Sequence, residues 1–277
     1  MPSAKPVFAL NHMCAPRLPV CDFFDLARAV GAVGVEIRND IDGNAIMDGT
    51  SPSLIAQAAR ERGLKILSIN ALQRFNDWNA AREEEARALA RCARDCDAEA
   101  LVLVPTNDGS GRAESERQAN LQTALKGLRP ILEDAGLLGF VEPLGFETCS
   151  LRRKSEAVEA IETLGAGRTF RLVHDTFHHF VAGETDFFPG HTGLVHVSGV
   201  SDPDLSAADM LDAHRVLVDG RDRLDNAGQI SALLRAGYAG PCSFEPFSHE
   251  VHQMPDLRSA IERSMAFIGS RIREDRQ

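Results

Sequence analysis

Four residues with metal-binding side chains follow short apolar runs in the second half of the chain. They are Glu142 after residues 138–141, Asp175 after 171–174, His196 after 194–195, and Glu245 after 242–244. Three carboxylates and an imidazole that met at one point would be costly to bury unless a positive charge lay between them. Such a ligand set suits Mn²⁺, Mg²⁺, Co²⁺ or Zn²⁺, and the excess of carboxylates favours Mn²⁺. Although each residue alone is more often an ion-paired or capping group, the four together predict one bound divalent metal ion.

These side chains can meet only if the apolar runs are parallel strands that end at one edge. Apolar runs and stretches of helical period alternate about eight times along the chain. The predicted strands lie near residues 7–10, 34–37, 65–69, 100–104, 138–141, 170–173, 194–197 and 241–244. The predicted helices lie near residues 23–30, 52–62, 80–96, 114–135, 154–164, 177–182, 226–236 and 255–273. Eight such units predict an α/β fold, a single (β/α)8 TIM barrel over residues 1–277, with its site at the C-terminal ends of the strands.

An open, doubly wound sheet is the alternative to a barrel. That arrangement usually places a glycine-rich phosphate-binding turn after its first strand. Here the corresponding segment, residues 11–16, reads NHMCAP and contains no glycine. The sequence therefore favours the barrel and argues against a nucleotide site.

Charge and cysteine content restrict the partners and the compartment. The formal net charge is −10, and no dense basic stripe offsets it, so nucleic acid is not an expected partner. The six cysteines form no CxxC pair, which favours reduced thiols in a cytoplasmic protein. We expect no signal peptide and no membrane association, because no apolar run approaches the ~20 residues needed to cross a bilayer.

Four short motifs carry a family resemblance. They are EPLG at 142–145, DTFH at 175–178, VHVS at 195–198 and FEPF at 244–247. Together they resemble the xylose isomerase-like barrels, the superfamily of sugar isomerases and epimerases. Within it the sequence is most similar to the 2-keto-myo-inositol (inosose) isomerases. The likeness extends over the whole chain in the order and number of βα units.

The resemblance implies roles for particular residues. The metal ligands would be Glu142, Asp175, His196 and Glu245. In relatives the two glutamates act as proton donor and acceptor, and the histidine equivalent to His178 holds a substrate oxygen. Arg215 matches a basic position of the seventh βα loop that reaches the substrate. The expected partner is a small sugar or cyclitol, and relatives are often homo-oligomers.

The implied chemistry moves a proton next to a carbonyl. A metal that binds both oxygens of a hydroxyketone acidifies the neighbouring C–H, and a carboxylate can take the proton to give a cis-enediolate. Proton return to the other carbon is isomerisation, whereas return to the opposite face is ketose 3-epimerisation. Loss of a β-hydroxyl would make the protein a lyase, as in dehydroshikimate-type dehydratases. A third alternative is a protein that binds a cyclitol as a sensor and does not catalyse a reaction. A DNA-repair endonuclease of this fold is not expected, because it would need more histidines and a surface that binds DNA.

Two loops provide further candidates for the walls of the site. Trp78, the only tryptophan, lies in the loop after the third strand, where it would offer an apolar wall to the C–H face of a cyclitol; packing in the core is the alternative. Residues 198–225 form an unusually long βα connection that we expect to be a lid or a wall.

Other ionisable residues near strand ends are given structural roles. Glu36 and Arg38 follow the second strand, and we expect Glu36 to pair with Arg38 or with a neighbouring strand end. His174 and His179 flank the DTFH motif. Strand alternation and helix phase predict that both imidazoles point away from the site.

Overall fold

Eight parallel strands form a closed barrel in chain order, which confirms the predicted fold. The computed structural model describes residues 5–41, 46 and 49–274. The strands are β1 Val7–Asn11, β2 Gly34–Arg38, β3 Lys65–Gln73, β4 Ala100–Val104, β5 Leu138–Val141, β6 Phe170–Asp175, β7 Thr192–Val197 and β8 Pro241–Phe244. β8 pairs with β1 in parallel, with Val7 opposite Pro241, and so closes the barrel.

Helices connect the strands and cover the outside of the barrel. They are α1 Val20–Ala29, α2 Pro52–Glu61, α3 Ala80–Asp95, α4 Glu114–Ala135, α5 Lys154–Thr163, α6 Thr176–Val181, α7 Asn226–Arg235, α8 His249–His252 and α9 Leu257–Glu274. The sequence pattern did not predict α8, because one turn is too short to show a helical period. β3 and β6 run further than predicted, and β6 ends at Asp175 itself.

Side-chain alternation divides each strand between two layers. Leu101 and Val195 face outward and pack with the helices in the larger apolar core. Val102, Phe140 and Leu194 belong to a smaller apolar cluster inside the barrel. A Cβ at Gly193 would lie 2.6 Å from the Phe140 ring, so glycine is needed there. Beyond this cluster the interior is lined by polar side chains at the C-terminal strand ends.

All six cysteines carry free thiols. Among the helices of the described residues, none is both long enough and apolar enough to cross a membrane.

Candidate metal centre

The four residues that the sequence singled out lie together at the C-terminal end of the barrel. Glu142 directly follows β5, Asp175 ends β6, His196 lies in β7, and Glu245 directly follows β8. These strands are neighbours in the barrel, so their ends converge. One ligand atom from each residue lies within 4.8 Å of the other three, and all four residues are buried.

The imidazole of His196 lies among the three carboxylates. Its Nδ1 is 2.7 Å from Glu142 Oε1, 3.2 Å from Glu245 Oε2 and 3.8 Å from Asp175 Oδ2. His196 itself has no exposed surface. The cluster therefore brings three oxygen donors and one nitrogen donor into a volume of the size that one cation occupies.

The polar atoms that point away from the cluster have partners of their own. Asp175 Oδ1 caps α6 by accepting the backbone N–H groups of Phe177 and His178, at 2.8 and 3.0 Å. Glu245 Oε1 accepts from Arg38 at 2.8 Å and from Asn11 at 3.1 Å. These bonds fix the carboxylates of Asp175 and Glu245 and leave the second oxygen of each facing the cluster.

His196 is oriented in the same way from the opposite side of its ring. Its Nε2 lies 3.1 Å from Glu36 Oε2, which also accepts from Ser68 Oγ at 2.7 Å and Asn70 Nδ2 at 2.8 Å. Because an anionic carboxylate favours a proton on Nε2, Nδ1 is the ring nitrogen whose lone pair would face an ion held in the cluster. Histidine ligands of metals typically have such an outer carboxylate partner.

Arg215 supplies positive charge at the edge of the cluster. Its Nη2 donates to Asp175 Oδ2 at 2.6 Å and to Glu245 Oε2 at 3.0 Å. The guanidinium carbon also lies 5.2 Å from the centre of the Phe177 ring and 4.6 Å from that of Phe247. Arg215 thus lies against the cluster, and it belongs to the long connection of residues 198–225.

Charge compensation explains the ionisation of the cluster. Burial lowers the pKa of His196, but the surrounding carboxylates, that of Glu245 first, raise it well above its ordinary value. Burial raises the pKa of Glu142. Burial also opposes ionisation of Glu245, yet the nearby cationic groups, His196 first, lower its pKa below the ordinary range. A proton on His196 and the guanidinium of Arg215 thus balance the carboxylates, and a divalent ion would replace that proton. The donor set therefore fits a divalent metal.

A cavity of about 380 Å³ opens above the cluster. Its described lining includes Glu142, Glu245, His178, Arg38, Arg215 and Phe247. His178 is 4% exposed, and its Nδ1 has no hydrogen-bond partner among the described residues. The volume is in the range of small-molecule sites, and His178 contributes its imidazole to the lining.

Trp78 does not contribute to this cavity. It borders a second cavity of about 360 Å³ that is lined by Thr106, Glu116 and Asn120, among others. Its indole packs against Gly127 of α4, where a Cβ would collide with the ring. The loop after β3 therefore directs the indole toward α4, which corresponds to the packing alternative considered for this residue.

Of the two partners expected for Glu36, the pairing with Arg38 is wrong, whereas the neighbouring strand β3 does provide contacts. Arg38 forms a two-bond ion pair with Asp40, at 2.7 Å for each bond, and its Nη1 reaches Glu245. Glu36 instead contacts β3 and His196. Both side chains point into the barrel, because they are two residues apart in β2, but the longer arginine extends past Glu36 to β8. The spacing placed both residues inside the barrel but did not identify their partners.

The comparisons with known proteins agree with this architecture. The family model for the xylose isomerase-like TIM barrel matches residues 24–270. A solved structure of a xylose isomerase domain containing protein from Salmonella typhimurium LT2 is 30% identical, with a TM-score of 0.88 over 97% of this chain and 99% of that chain. A structure of IolI protein with a bound zinc atom has a TM-score of 0.84 at 19% identity, over 96% of this chain and 98% of that chain.

A curated relative also matches by sequence. The 3-dehydroshikimate dehydratase of Pseudomonas putida is 24% identical over 261 residues, which are 88% of this chain and 39% of that protein. This chain thus spans about two fifths of the length of the relative. Since the family model covers most of the chain and the barrel has the corresponding architecture, the protein belongs to the xylose isomerase-like TIM barrel family.

Proposed function

We propose that the protein is a divalent-metal-dependent isomerase that moves a carbonyl along a keto-cyclitol, with 2-keto-myo-inositol (inosose) as substrate. The observation that carries the proposal is the buried cluster of Glu142, Asp175, His196 and Glu245 at the floor of a cavity. Three carboxylates and an imidazole around one point are a ligand set for a hard or borderline divalent ion.

The four clustered residues would hold the metal. When bound, the ion would polarise the substrate carbonyl and stabilise the charge of a cis-enediolate. The carboxylate-rich ligand set favours Mn²⁺, and the IolI protein, a structure of similar fold, carries a zinc atom, which supports a divalent ion in this family of barrels. Mg²⁺ and Co²⁺ fit the same donors.

The protein groups supply binding and proton transfer. Glu142 and Glu245 approach the cluster from β5 and β8, two strands that are not adjacent in the barrel. They can therefore approach a bound ring from different sides, as the proton acceptor and the proton donor for neighbouring carbons. His178, which lines the cavity, offers its imidazole to a substrate hydroxyl. Burial of all three groups excludes water from the transferred proton.

The charges that line the cavity support an uncharged substrate. Three arginines line it among the described residues, and each is already paired with a carboxylate. Arg38 binds Asp40 and Glu245, and Arg74 binds Asp108 at 2.6 Å. Arg215 is held by the cluster itself. A substrate carboxylate or phosphate would have to share one of these guanidinium groups with a carboxylate already bound to it, whereas a keto-cyclitol needs only hydrogen bonds.

A lyase of the same family is the second candidate, because the curated relative by sequence is a dehydratase. A dehydratase shares the proton abstraction and differs in the β-hydroxyl that the intermediate expels. Its anionic substrate would require a free cationic group in the cavity. Ketose 3-epimerisation differs only in where the proton returns.

One NMR experiment distinguishes these reactions. The Mn²⁺-loaded protein is incubated with 2-keto-myo-inositol in D₂O, with the metal-free protein as control. We expect deuterium at the carbon next to the carbonyl and the resonances of a second ketoinositol. Deuterium exchange with inversion at the same carbon would indicate epimerisation, and an ultraviolet-absorbing enone would indicate dehydration. No exchange and no new product would refute the proposal.

Metal binding should also be visible in thermal stability. Ion binding to the folded state adds about 2.7 kcal/mol of stability when the free ion is about 100 times its Kd. We therefore expect the melting temperature to fall by several degrees after removal of divalent ions with a chelator, and to recover with Mn²⁺. Differential scanning calorimetry measures this shift, and its absence in the wild-type protein would contradict the proposed site.

A further inference from the structure

We propose that Lys154, which lies outside the barrel, is a positioning residue that holds Asp175 and His178 in place from the side away from the cavity. The inference rests on the proposed metal site, because Asp175 is one of its ligands. Lys154 is the first residue of α5 and is 3% exposed. It is absent from the described lining of the cavity above the cluster.

The ammonium group of Lys154 bridges the two ends of the turn that carries these site residues. Its Nζ lies 2.8 Å from His174 Nδ1 and 2.9 Å from His179 Nδ1. His174 immediately precedes Asp175, and His179 immediately follows His178. Because successive residues of a strand point to opposite faces, His174 faces outward to Lys154 while Asp175 faces the cluster.

The hydrogen bonds make both imidazoles acceptors toward Lys154. His174 Nε2 lies 2.9 Å from Gln229 Oε1, and the amide nitrogen of Gln229 donates to the carbonyl oxygens of Thr176 and Leu224. His174 therefore carries its proton on Nε2 and directs the lone pair of Nδ1 at the ammonium group. The same network ties the turn to α7.

Lys154 is itself held rigidly. The carboxylate of Glu184 accepts the backbone N–H of Lys154 at 3.1 Å and that of Ser155 at 3.0 Å, and thereby caps α5. The ammonium group also lies 5.6 Å from the centre of the Phe187 ring. Burial lowers the pKa of Lys154 to about 8, so the group is still mostly protonated at pH 7. It therefore acts as a fixed cation between two neutral rings.

The turn needs such an anchor because α6 is only six residues long. A helix of this length is not stable by itself. The backbone of α6 also lies directly on Gly145, where a Cβ would collide with the carbonyl oxygen of His178. Gly145 and Lys154, both outside the cavity, therefore help to hold α6, whose first backbone N–H groups fix Asp175 Oδ1.

The test measures the affinity for Mn²⁺ below the melting temperature of each variant, by electron paramagnetic resonance of the free ion. Lys154→Met keeps the length of the side chain and removes the charge, and His179→Ala removes one acceptor. We expect each to raise the Kd for Mn²⁺ by roughly threefold to tenfold, at or below the low end for outer partners that contact a metal ligand directly. Because both changes act through one contact, the double variant should lose less than the sum of the two effects. Lys126→Met, at an exposed position of α4, is the matched control.

A purely structural role would lower the melting temperature and leave the Kd unchanged. Folded single variants with a Kd within twofold of the wild type would therefore overturn the proposal and leave the metal site intact. Absence of Mn²⁺ binding in the wild-type protein would overturn both. If Lys154→Met does not fold, ¹⁵N NMR of histidine-labelled wild-type protein decides: we expect His174 and His179 protonated on Nε2, and a proton on Nδ1 of either would overturn the proposal.

Discussion

Glu245→Gln is expected to lower turnover by about 10³-fold or more, since one change removes a metal ligand and an acid–base group. Glu245 Oε2 lies 3.2 Å from His196 Nδ1 and 3.0 Å from Arg215 Nη2, and Oε1 lies 2.8 Å from Arg38. A neutral amide in this position would leave two buried guanidinium groups with less negative charge and would offer a weaker donor to the ion. Steady-state kinetics of the Mn²⁺-loaded variant measure the loss.

The control for this substitution is Glu250→Gln. Glu250 is exposed and lies in α8, only a few residues further along the chain. We expect the control to retain wild-type turnover. If Glu245→Gln binds Mn²⁺ and remains active within tenfold of the wild type, Glu245 has no part in the mechanism.

Glu36→Gln is expected to weaken metal binding by about 10- to 100-fold, although Glu36 is not one of the four clustered residues. The carboxylate of Glu36 accepts from His196 Nε2 at 3.1 Å and from Ser68 and Asn70. Loss of its negative charge removes the preference for a proton on Nε2. The Nδ1 lone pair is then less available to the ion, because the other tautomer places a proton there.

Isothermal titration with Mn²⁺ measures this effect. The matched control is Glu99→Gln, in which the replaced carboxylate is exposed and pairs with Lys65 at 3.0 Å. We expect the control to bind Mn²⁺ as the wild type does. If Glu36→Gln binds Mn²⁺ with the affinity of the wild type, the hydrogen bond between Glu36 and His196 does not affect metal binding.

The barrel and the convergence of the four side chains were predictable from the sequence because both depend on local patterns. Apolar runs identified the strands, and parallel strands of a barrel end at one face. A residue directly after such a run is therefore placed to within a few ångströms. Glu142 and Glu245 are examples, since each comes immediately after the last residue of its strand.

Partners that depend on reach across the barrel were not predictable. Arg38 binds Glu245, which is 207 positions away in the chain. Lys154, at the start of α5, contacts His174, which is 20 positions away. Nothing in the spacing of these residues specifies which acceptor a long side chain reaches. The sequence left Trp78 open between a wall of the site and packing for a related reason, because what accepts its indole is a gap opposite Gly127 on α4. Such a gap is a property of packed helices and leaves no periodic signal.

The central claim is that four side chains at neighbouring strand ends hold one divalent ion. Anomalous diffraction at the manganese edge, from crystals grown with Mn²⁺, tests it directly. The account predicts one strong peak bounded by Glu142 Oε1, Asp175 Oδ2, His196 Nδ1 and Glu245 Oε2, the atoms that lie closest together in the cluster. A map with no peak among these atoms, or with the ion bound elsewhere on the chain, would contradict it.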